Sequence, residues 1–419
     1  MKSSYRKIGD FINRIKVKNV DGKLDLLLGI NIDKYFMPSV ANIVGTDLTK
    51  YKVVKPNQFA CNRMHVGRDE RLPVALSVVD YDFIVSPAYD VFEIINTDEL
   101  NPQYLMMWFS RSEFDRNSWF YTDTDVRGKL GWDSLCEMEL PIPSIEKQRE
   151  IIKEYNAVVN RIKLNEQLNK KLEETAQALY KHWFVDFEFP DEEGKPYKSS
   201  GGEMVFNEEL EKEIPEEWEV DTLNSFKLDV SDGNYSGKYP KSSEFLDKGV
   251  PFIRGTDFDG YFISPFDFRY ISEEKHSQLL KGHTKRGDVL ITTRGASIGN
   301  FAYLPDKFID VNINSQLVRL NGGDNYPQFY LGLMLASRDF YEVLEGAITG
   351  SAQPQLSVTN LMAMQLLKPE IKIIKLFCRK YESLHKSYLL RFEEFILLER
   401  SKNLLLSKMT KVELEREVA

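Results

Sequence analysis

Hydrophobic residues recur every three or four positions along two long stretches of this chain. In the first stretch, 144–184, the recurrence begins at Ile151 and steps alternately by four and three residues. Adding 226 to each position gives a second series in the same register, and a proline precedes each stretch, at Pro143 and Pro369. Such a recurrence is typical of a helix that buries a seam against another helix. The sequence therefore predicts two long helices that pair in one register.

Most positions of the predicted seam are apolar. In the first helix they are Ile151, Tyr155, Val158, Ile162, Leu172 and Leu179. In the second helix they are Phe377, Tyr381, Leu384, Tyr388, Phe395, Leu398 and Leu405. Polar residues interrupt both series, at Asn165, Asn169, Arg391 and Lys402. Buried polar seam residues usually fix the alignment of a helix pair, although two amphipathic helices on separate cores would show the same periodicity.

Short apolar runs separated by turn residues fill much of the remaining chain. In the first part they have the length of strands and lie at 24–30, 51–54, 72–79, 83–86 and 91–95. One helix is predicted at 102–111. The stretch YPQFYLGLMLASRDF, from Tyr326, echoes NPQYLMMWFSRSEF, from Asn101. The sequence therefore predicts an α/β (α+β) fold in which two repeated globular modules are separated by the two long helices.

The predicted boundaries follow these patterns. They are a first module at 1–143, a central spacer helix at 144–185, an acidic linker at 186–213, a second module at 214–369 and a C-terminal spacer helix at 370–412. A length of 419 residues with 42% apolar residues suits two folded modules and connecting helices. The segment HWFVDFEFP, from His182, carries large apolar side chains that we expect to dock the helix end onto the second module.

The net charge of −9 argues at first against a nucleic-acid partner. However, 186–219 contains 13 acidic residues and 3 lysines, a local charge of −10, which leaves +1 for the remaining residues. A compact acidic run is typical of a solvated linker, and prolines at Pro190, Pro196 and Pro215 interrupt regular structure there. Any DNA contact is therefore expected from local basic patches on modules that are neutral overall.

Polar and basic residues in predicted loops are candidates for DNA contact, because arginine can clamp phosphates or read guanine edges. In the first module they are Arg63, His65, Arg68, Arg71, Arg127 and Lys129. In the second module they are Lys238, Tyr239, Lys241, Arg254, Thr293, Arg294, Ser297, Asn314, Gln316 and Gln353. A solvated turn closed by surface ion pairs would explain each of these stretches equally well.

The motifs expected of an enzyme are missing. The stretch TTRGASIG, at 292–299, lacks the lysine and the following Ser or Thr of a phosphate loop, and no Asn or Asp precedes two prolines and an aromatic residue. The three cysteines and five histidines lie without metal-ligand or disulfide spacing. We therefore expect neither catalysis nor a metal site in this chain. No leader or long apolar run occurs, so a cytoplasmic protein without membrane contact is expected.

Four segments carry a resemblance to a known family: LPIPSIEKQREI (140–151), LYKHWFVDFEFP (179–190), IPEEWEV (214–220) and GSAQPQLS (350–357). Their order resembles the specificity (S) subunit of type I restriction-modification systems over essentially the whole chain. GINIDKYFMPSVANIVGTDL (29–48) and IVSPAYDVFEI (84–94) also resemble one class of target-recognition domain in that family. The second helix departs from the first at its start, where Lys372, Ile373 and Ile374 replace Glu146, Lys147 and Gln148.

The resemblance implies a DNA-reading subunit without catalytic activity. In the family, each target-recognition domain reads one half of a bipartite asymmetric site, and the two helices pack antiparallel between them. The implied partners are double-stranded DNA, two modification (methyltransferase) subunits and restriction (translocase/nuclease) subunits. S-adenosylmethionine, ATP and Mg²⁺ are expected in those partners, with no cofactor in this chain. Two alternatives stay open: a protein-interaction scaffold that does not bind DNA, and the specificity subunit of a type II-like methyltransferase/nuclease.

Overall fold

The chain divides into two compact units. The computed structural model describes residues 5–39, 45–64, 66–122, 128–235, 237, 239–350 and 354–410. Unit 1 comprises residues 1–163 and 397–419, and unit 2 comprises residues 164–396. Both long helices cross from one unit to the other, so the compact units do not coincide with the predicted modules.

Unit 1 is built on an antiparallel sheet. Its strands are β1 (Tyr5–Lys7), β2 (Ile12–Ile15), β3 (Leu28–Ile30), β4 (Phe36–Pro38), β5 (Lys52–Val54), β6 (Phe59–Cys61), β7 (Val74–Leu76), β8 (Phe83–Val85), β9 (Asp90–Ile94) and β10 (Glu139–Pro141). Four of them form the main sheet in the order β2-β9-β6-β7, and β1 pairs with β10, so the two ends of the module meet. Each predicted apolar run overlaps one of these strands.

The helices of unit 1 cover this sheet. They are α1 (Val66–Asp69), α2 (Pro102–Phe109), α3 (Ser112–Phe120), α4 (Trp132–Glu137) and the first part of α5 (Ile145–Phe184). The helix predicted at 102–111 is confirmed as α2, because Asn101 accepts a hydrogen bond from the Gln103 amide and Pro102 occupies the first turn. Phe109 of this helix packs edge-on against Phe59, with ring centroids 5.9 Å apart.

Unit 2 repeats the plan of unit 1. Its strands are β11 (Met204–Asn207), β12 (Lys212–Pro215), β13 (Glu219–Thr222), β14 (Asp229–Asp232), β15 (Val250–Ile253), β16 (Phe258–Asp259), β17 (Phe262–Ile263), β18 (Arg269–Ile271), β19 (Val289–Thr292), β20 (Phe301–Tyr303), β21 (Asn312–Ile313), β22 (Leu317–Asn321) and β23 (Gln365–Lys368). The main sheet has the order β14-β22-β19-β20, and β13 pairs with β23 as β1 pairs with β10. A further sheet, β18-β15-β21, is added. The predicted repeat of two mixed modules is confirmed.

The helices of unit 2 include the end of α5. The others are α6 (Glu273–Gln278), α7 (Gln328–Leu335), α8 (Arg338–Ala347), α9 (Val358–Ala363), α10 (Ile371–Lys380) and α11 (Glu382–Lys408, of which the part up to Ile396 lies in unit 2). Helix α7 is buried, and a Cβ at its Gly332 would lie only 2.2 Å from the ring of Tyr303. Only glycine allows this close approach. Within the described ranges, no helix is long and apolar enough to cross a membrane.

Helices α5 and α11 run antiparallel within unit 2. Trp183, at the end of α5, packs edge-on against Phe377 of α10, with ring centroids 5.3 Å apart. Nearer the start of α5, Asn165 accepts a hydrogen bond of 3.4 Å from the guanidinium of Arg391. Arg391 lies in α11, after Phe377 in the sequence, so the two helices run in opposite directions. Asn165 is fully buried. Two of the polar residues that interrupt the predicted seam therefore contact each other, which penalises other alignments of the two helices.

The C-terminal helix predicted at 370–412 is wrong in one respect, because it is broken at Tyr381. The Tyr381 amide still donates to the Phe377 carbonyl at 3.0 Å, and the Leu384 amide donates to the Tyr381 carbonyl at 3.1 Å. Between α10 and α11, the ring of Tyr381 packs edge-on against Trp183 at 5.9 Å. This tertiary contact accompanies the break in the helix. The heptad pattern continues across Tyr381, so periodicity alone does not predict the break.

The buried face of α11 is wider than a narrow helix seam. The predicted seam positions are all buried or half-buried in both helices. Phe392 and Ile396 are buried as well, and the ring of Phe392 stacks on Phe262 of β17 at 3.9 Å. Tyr388 stacks on the same ring at 4.3 Å. Helix α11 therefore packs against the globular part of unit 2 in addition to α5.

The acidic linker predicted at 186–213 contains regular structure, which corrects that prediction. Strands β11 and β12 form a hairpin there, with Val205 opposite Ile214. The hairpin was missed because acidic residues and prolines surround its two short strands, so the stretch was interpreted as a solvated linker. The predicted docking of the preceding segment is confirmed: Phe189 is buried and stacks on Trp218, with ring centroids 5.0 Å apart.

Arg63, which was predicted to lie in a loop, stands between two regular elements of unit 1. Cys61 ends the buried strand β6, and α1 follows from Val66. Burial raises the pKa of the Cys61 thiol to about 12, and burial does the same for Cys378 in unit 2. Both thiols are therefore protonated at neutral pH, in accord with their weak nucleophilicity when buried in apolar surroundings.

A buried histidine makes the stability of unit 2 depend on pH. The ring of His385 stacks on Phe329 at 4.7 Å, and burial lowers its pKa to about 4. An unfolded histidine titrates near 6.5, so between these values the unfolded chain binds more protons than the folded chain. The neutral His385 ring therefore contributes to the free energy of unfolding above about pH 6.5, and this contribution is lost as the pH falls through the pKa of the folded state. We expect it to amount to about 3 kcal/mol.

The measurement is urea denaturation of the wild-type chain and of His385→Phe between pH 7 and pH 4. The variant keeps an aromatic ring and removes the titration, so its unfolding free energy is expected to fall less steeply with acidity. His182→Phe is the matched control, because His182 is exposed on the last turn of α5. The same pH dependence in wild type and His385→Phe would contradict the assignment.

Candidate nucleic-acid interface

Three loops of unit 2 meet at one end of its main sheet. Strand β14 ends at Asp232, which lies opposite Val318 of β22, and β19 ends at Thr292, which lies opposite Leu317. The loop that leaves β14, the loop that leaves β19 and the loop that enters β22 are therefore neighbours. The antiparallel register brings together stretches far apart in the sequence.

Backbone hydrogen bonds fasten these loops to one another. The Thr293 amide donates to the Gln316 carbonyl at 2.8 Å. The Leu356 amide donates to the Thr293 carbonyl at 2.9 Å, so a fourth loop, 348–356, joins the group through its described residues. Four loops that carry predicted contact residues are thus adjacent in space.

The exposed side chains of this cluster are suited to contact a base edge or a phosphate. The guanidinium of Arg294 lies over the ring of Tyr235, 4.6 Å from its centroid. Gln316 and Gln355 are exposed beside it. Partial burial raises the pKa of Tyr235, so its hydroxyl stays a hydrogen-bond donor at neutral pH. We call Tyr235, Arg294, Gln316 and Gln355 the loop cluster.

Other predicted contact residues of unit 2 support the loops instead. Thr293 is buried and its hydroxyl donates to the Gln316 carbonyl at 3.0 Å. The side-chain oxygen of Asn314, also buried, accepts from the Gln316 amide at 3.1 Å. Ser297 is half-buried, and its carbonyl accepts from the Asn300 amide at 3.0 Å, which closes the turn after Arg294.

Three more candidates of unit 2 lie outside the loop cluster. Tyr239 packs edge-on against Phe252, with ring centroids 5.6 Å apart. Lys241 is exposed, and its amide donates to the Glu244 carboxylate at 2.7 Å. Arg254 is held by the buried Asp257 carboxylate at 2.6 Å, and it also donates to a backbone carbonyl at 2.8 Å. The hydrogen bonds of this guanidinium therefore stabilise the fold of unit 2.

In unit 1, Arg63 is buried, which makes its prediction as a DNA contact wrong. Its Nε donates to the Asp90 carboxylate at 2.6 Å, and the guanidinium lies 5.8 Å from the ring centroid of Trp132. The physical reason is the strand that precedes it. Cys61, the last residue of β6, pairs with Asp90 of β9, so the arginine two positions later turns inward to that carboxylate.

The remaining described candidates of unit 1 are exposed. Arg68 forms a two-point pair with Asp69, at 2.6 and 3.0 Å. Arg71 lies 3.3 Å from the Asp33 carboxylate. Lys129 is also exposed. Surface ion pairs of this kind contribute little to stability and open readily to accept another anion.

A row of basic residues on unit 1 was missed by the sequence analysis. Arg14, Lys16 and Lys18 alternate along β2 and its extension, so their side chains share one face. Lys18 pairs through its backbone with Lys52. Partial burial lowers the pKa of Lys52, and its nearness to Arg14 and Lys16 acts in the same direction. We call Arg14, Lys16, Lys18 and Lys52 the basic stripe.

Comparison with known proteins shows what the chain is similar to. Residues 215–376 match the type I restriction modification DNA specificity domain. The specificity subunit of type I restriction enzyme MjaIX from Methanocaldococcus jannaschii is 25% identical over 331 residues, which cover 77% of this chain and 72% of that protein. The HindI specificity subunit of Haemophilus influenzae is 27% identical over 160 residues, 37% of this chain and 34% of that protein.

The fold has a solved counterpart. The crystal structure of a type I restriction-modification S subunit from M. genitalium has a TM-score of 0.52, with 16% identity over 97% of this chain and 95% of that chain. The chain is thus similar to type I specificity (S) subunits in sequence and in fold. The loop cluster lies within the matched DNA specificity domain.

Four predicted contact residues of this S subunit-like chain lie outside the described residues. They are His65, Arg127, Lys238 and Gln353. The basic stripe could have been found from the sequence, because basic residues at every second position of a strand share a face. The exposure of Arg294 and the burial of Arg63 could not, because each depends on the residue across the sheet.

Replacing Arg63 by alanine is expected to destabilise unit 1. The buried Asp90 carboxylate would lose one of its two arginine partners and keep the other, Arg14. We expect a loss of about 1–3 kcal/mol, the usual cost of an unmet buried hydrogen-bonding group. Urea denaturation measures this, with Arg68→Ala as the exposed control, which should stay within about 0.5 kcal/mol of wild type. Equal effects of the two variants would contradict the assigned role of Arg63.

Proposed function

We propose that this chain reads a bipartite, asymmetric sequence in double-stranded DNA for a type I restriction-modification complex, in the cytoplasm. The observation that carries the proposal is the loop cluster, which lies inside the matched DNA specificity domain. Unit 1 supports it with a second sheet of the same strand order. Two readers on one scaffold suit a site with two different halves.

The loop cluster has the chemistry for reading bases. Arginine can bind the O6 and N7 atoms of guanine, and glutamine can bind the N6 and N7 atoms of adenine in the major groove. Tyr235 lies under the guanidinium of Arg294 at 4.6 Å and limits its freedom before DNA arrives. Such preorganisation reduces the entropic cost of binding. Gln316 is fixed in a similar way through the buried Asn314.

The basic stripe gives unit 1 a different role at the DNA backbone. Lys16 and Lys18 are exposed, and alternating basic side chains on one strand can follow a row of phosphates. The whole chain nevertheless has a net charge of −9. Phosphate neutralisation dominates DNA affinity, so we propose that partner subunits supply part of the positive charge.

We also propose that the chain is non-catalytic and works through partners. Two modification subunits would bind S-adenosylmethionine and methylate adenine. Restriction subunits would use ATP and Mg²⁺ to translocate and cleave DNA. The absence of catalytic motifs from the sequence fits this division of labour.

The deciding experiment is methylome sequencing of cells that express the modification subunits with and without this chain. We propose that one bipartite adenine-methylation motif is present only when the chain is present. A motif that persists without the chain would exclude it as the source of sequence specificity.

Replacing Arg294 by alanine tests the loop cluster directly. Loss of one base-contacting arginine should weaken binding of the assembled complex to its cognate DNA by about 1–3 kcal/mol, about 5- to 150-fold, and relax one base of the motif. Arg338→Ala is the matched control, because Arg338 is exposed on α8 and pairs with Glu342 at 2.6 Å. Binding and methylome sequencing are the measurements. An unchanged motif and affinity in Arg294→Ala would exclude a reading role.

Exchanging one module tests whether the halves are read independently. Residues 1–140 would be replaced by the corresponding module of a relative. This exchange leaves β14, β19 and β22 and their loops unchanged. We expect one half of the methylated motif to change and the other to persist, because the loop cluster lies entirely in unit 2. Methylome sequencing reads the result, and a simultaneous change of both halves would contradict independent reading.

A further inference from the structure

Two histidines and an aspartate of unit 2 converge outside the loop cluster, although nothing in their sequence spacing indicates a site. His276 lies on α6, His283 follows it, and Asp310 lies before β21. One nitrogen of each histidine and a carboxylate oxygen lie within 4.8 Å of one another. In the part of the chain that the structure describes, this is the one group of three His, Cys, Asp or Glu side chains so arranged.

Hydrogen bonds fix which nitrogen of each ring faces the aspartate. Nε2 of His283 lies 2.5 Å from the Leu279 carbonyl, which can only accept, so this nitrogen carries a hydrogen. Nδ1 of His276 lies 2.6 Å from the side-chain oxygen of Asn312 and donates to it. In the neutral rings, the lone pairs are therefore on Nδ1 of His283 and Nε2 of His276.

Both lone pairs face one carboxylate oxygen. Nδ1 of His283 lies 3.0 Å from Oδ1 of Asp310, and Nε2 of His276 lies 3.6 Å from the same atom. Three electron-rich atoms this close repel one another unless a positive charge lies among them. One imidazolium, at His283, would neutralise only its own contact with Asp310, and two imidazolium rings would repel each other because the ring centroids are only 4.4 Å apart. A single cation bound by all three atoms removes the repulsion.

The distances fit a small divalent transition-metal ion. Tetrahedral ligands about 2.0–2.1 Å from Zn²⁺ lie about 3.3–3.4 Å from one another. The two nitrogen–oxygen separations, 3.0 and 3.6 Å, bracket that value, and the two nitrogens lie within 4.8 Å of each other. Metal-bound histidines usually donate their other nitrogen to a carbonyl or carboxylate oxygen, and both histidines have such an acceptor here. Two imidazoles and one carboxylate suit Zn²⁺ better than Mg²⁺ or Ca²⁺.

Nearby lysines do not compete for this aspartate. Lys275 pairs with Glu244 at 2.6 Å, and Lys281 pairs with Asp232 at 3.2 Å. The Asp310 side chain is 71% exposed, so the fourth position of a bound ion would face solvent and take a water molecule.

We propose that His276, His283 and Asp310 bind one divalent transition-metal ion of the Zn²⁺ class. The ion joins the segment after α6 to the segment before β21. It is a structural ligand, and it takes no part in a reaction of this chain.

The position of this site connects it to the loop cluster. The Lys281 amide donates to the side-chain oxygen of Asn234 at 3.3 Å, and the side-chain nitrogen of Asn234 donates to the Lys281 carbonyl at 2.5 Å. Asn234 precedes Tyr235, which underlies Arg294. A metal at His283 would therefore brace the segment that holds one reading loop. This last step rests on the proposed function, whereas metal binding itself does not.

The test measures metal on the full-length, untagged chain after treatment with a chelator. We expect the wild-type chain to bind one equivalent of Zn²⁺ in calorimetry, with a rise in thermal midpoint, and Co²⁺ to give a visible spectrum of a His-ligated tetrahedral site. His283→Ala and Asp310→Asn should lose this site, with a loss of affinity beyond the about 10–100-fold cost of removing an orienting partner. His182→Ala is the control for loss of an unrelated histidine and should bind as wild type does.

Asp310→Asn keeps the proposal testable, because Asp310 is exposed and its replacement preserves shape, as circular dichroism can check. Absence of Zn²⁺ binding by the folded wild-type chain at micromolar concentration would overturn the proposal. One equivalent bound by both His283→Ala and Asp310→Asn, with wild-type affinity, would also overturn it. Because no DNA is present, a negative result leaves the proposed DNA-reading function untouched, and methylome sequencing tests that function separately.

Discussion

The burial of the last turn of helix α5 is the contact on which unit 2 depends. Trp183 is 2% exposed and packs against Phe377, and Phe184 is 3% exposed and packs against both Trp218 and Tyr330. Such aromatic pairs contribute about 0.5–1.5 kcal/mol each beyond their buried area. Through these rings, the helix end, the second module and the start of the C-terminal helices share one core. The helix cannot slide along its partner without removing both side chains from that core.

The antiparallel sheet of unit 2 determines which loops lie together at one end of the module. In unit 2, the pairing of Thr292 with Leu317 and of Asp232 with Val318 decides which loops become neighbours. The side chains that face solvent there are carried by loops, while Thr293 and Asn314 below them are buried and hydrogen-bonded. A rigid sheet end with variable loops explains how one scaffold can occur twice in this chain with different surfaces.

Most of the fold that could be predicted from the sequence was predicted from the periodicity of its apolar residues. The long helices and the repeated modules follow from apolar spacing, because burial imposes the same spacing on any sequence that forms them. The break at Tyr381 and the inward turn of Arg63 depend on single tertiary partners, Trp183 and Asp90, which leave no periodic signal. The group of two histidines and an aspartate was not predicted for the same reason, since Asp310 lies 27 residues beyond His283 in the sequence. For the candidate contact residues, the sequence could predict the residue types and the loops that carry them. It could not predict which of their side chains are exposed.

The contrast between two arginines shows how the strand across the sheet decides the role of a side chain. Arg63 lies two residues after the end of β6, and Arg294 lies two residues after the end of β19, the corresponding strand of the second sheet. Opposite the end of β6 is Asp90, whereas opposite the end of β19 is Leu317. A buried carboxylate draws the first guanidinium inward, because burying that charge unpaired would be costly. Leucine offers no such partner, so the second guanidinium extends outward over the ring of Tyr235. The corresponding position of the two sheets thus stabilises one module and exposes a basic side chain in the other, so the two modules present different surfaces although they share a strand order.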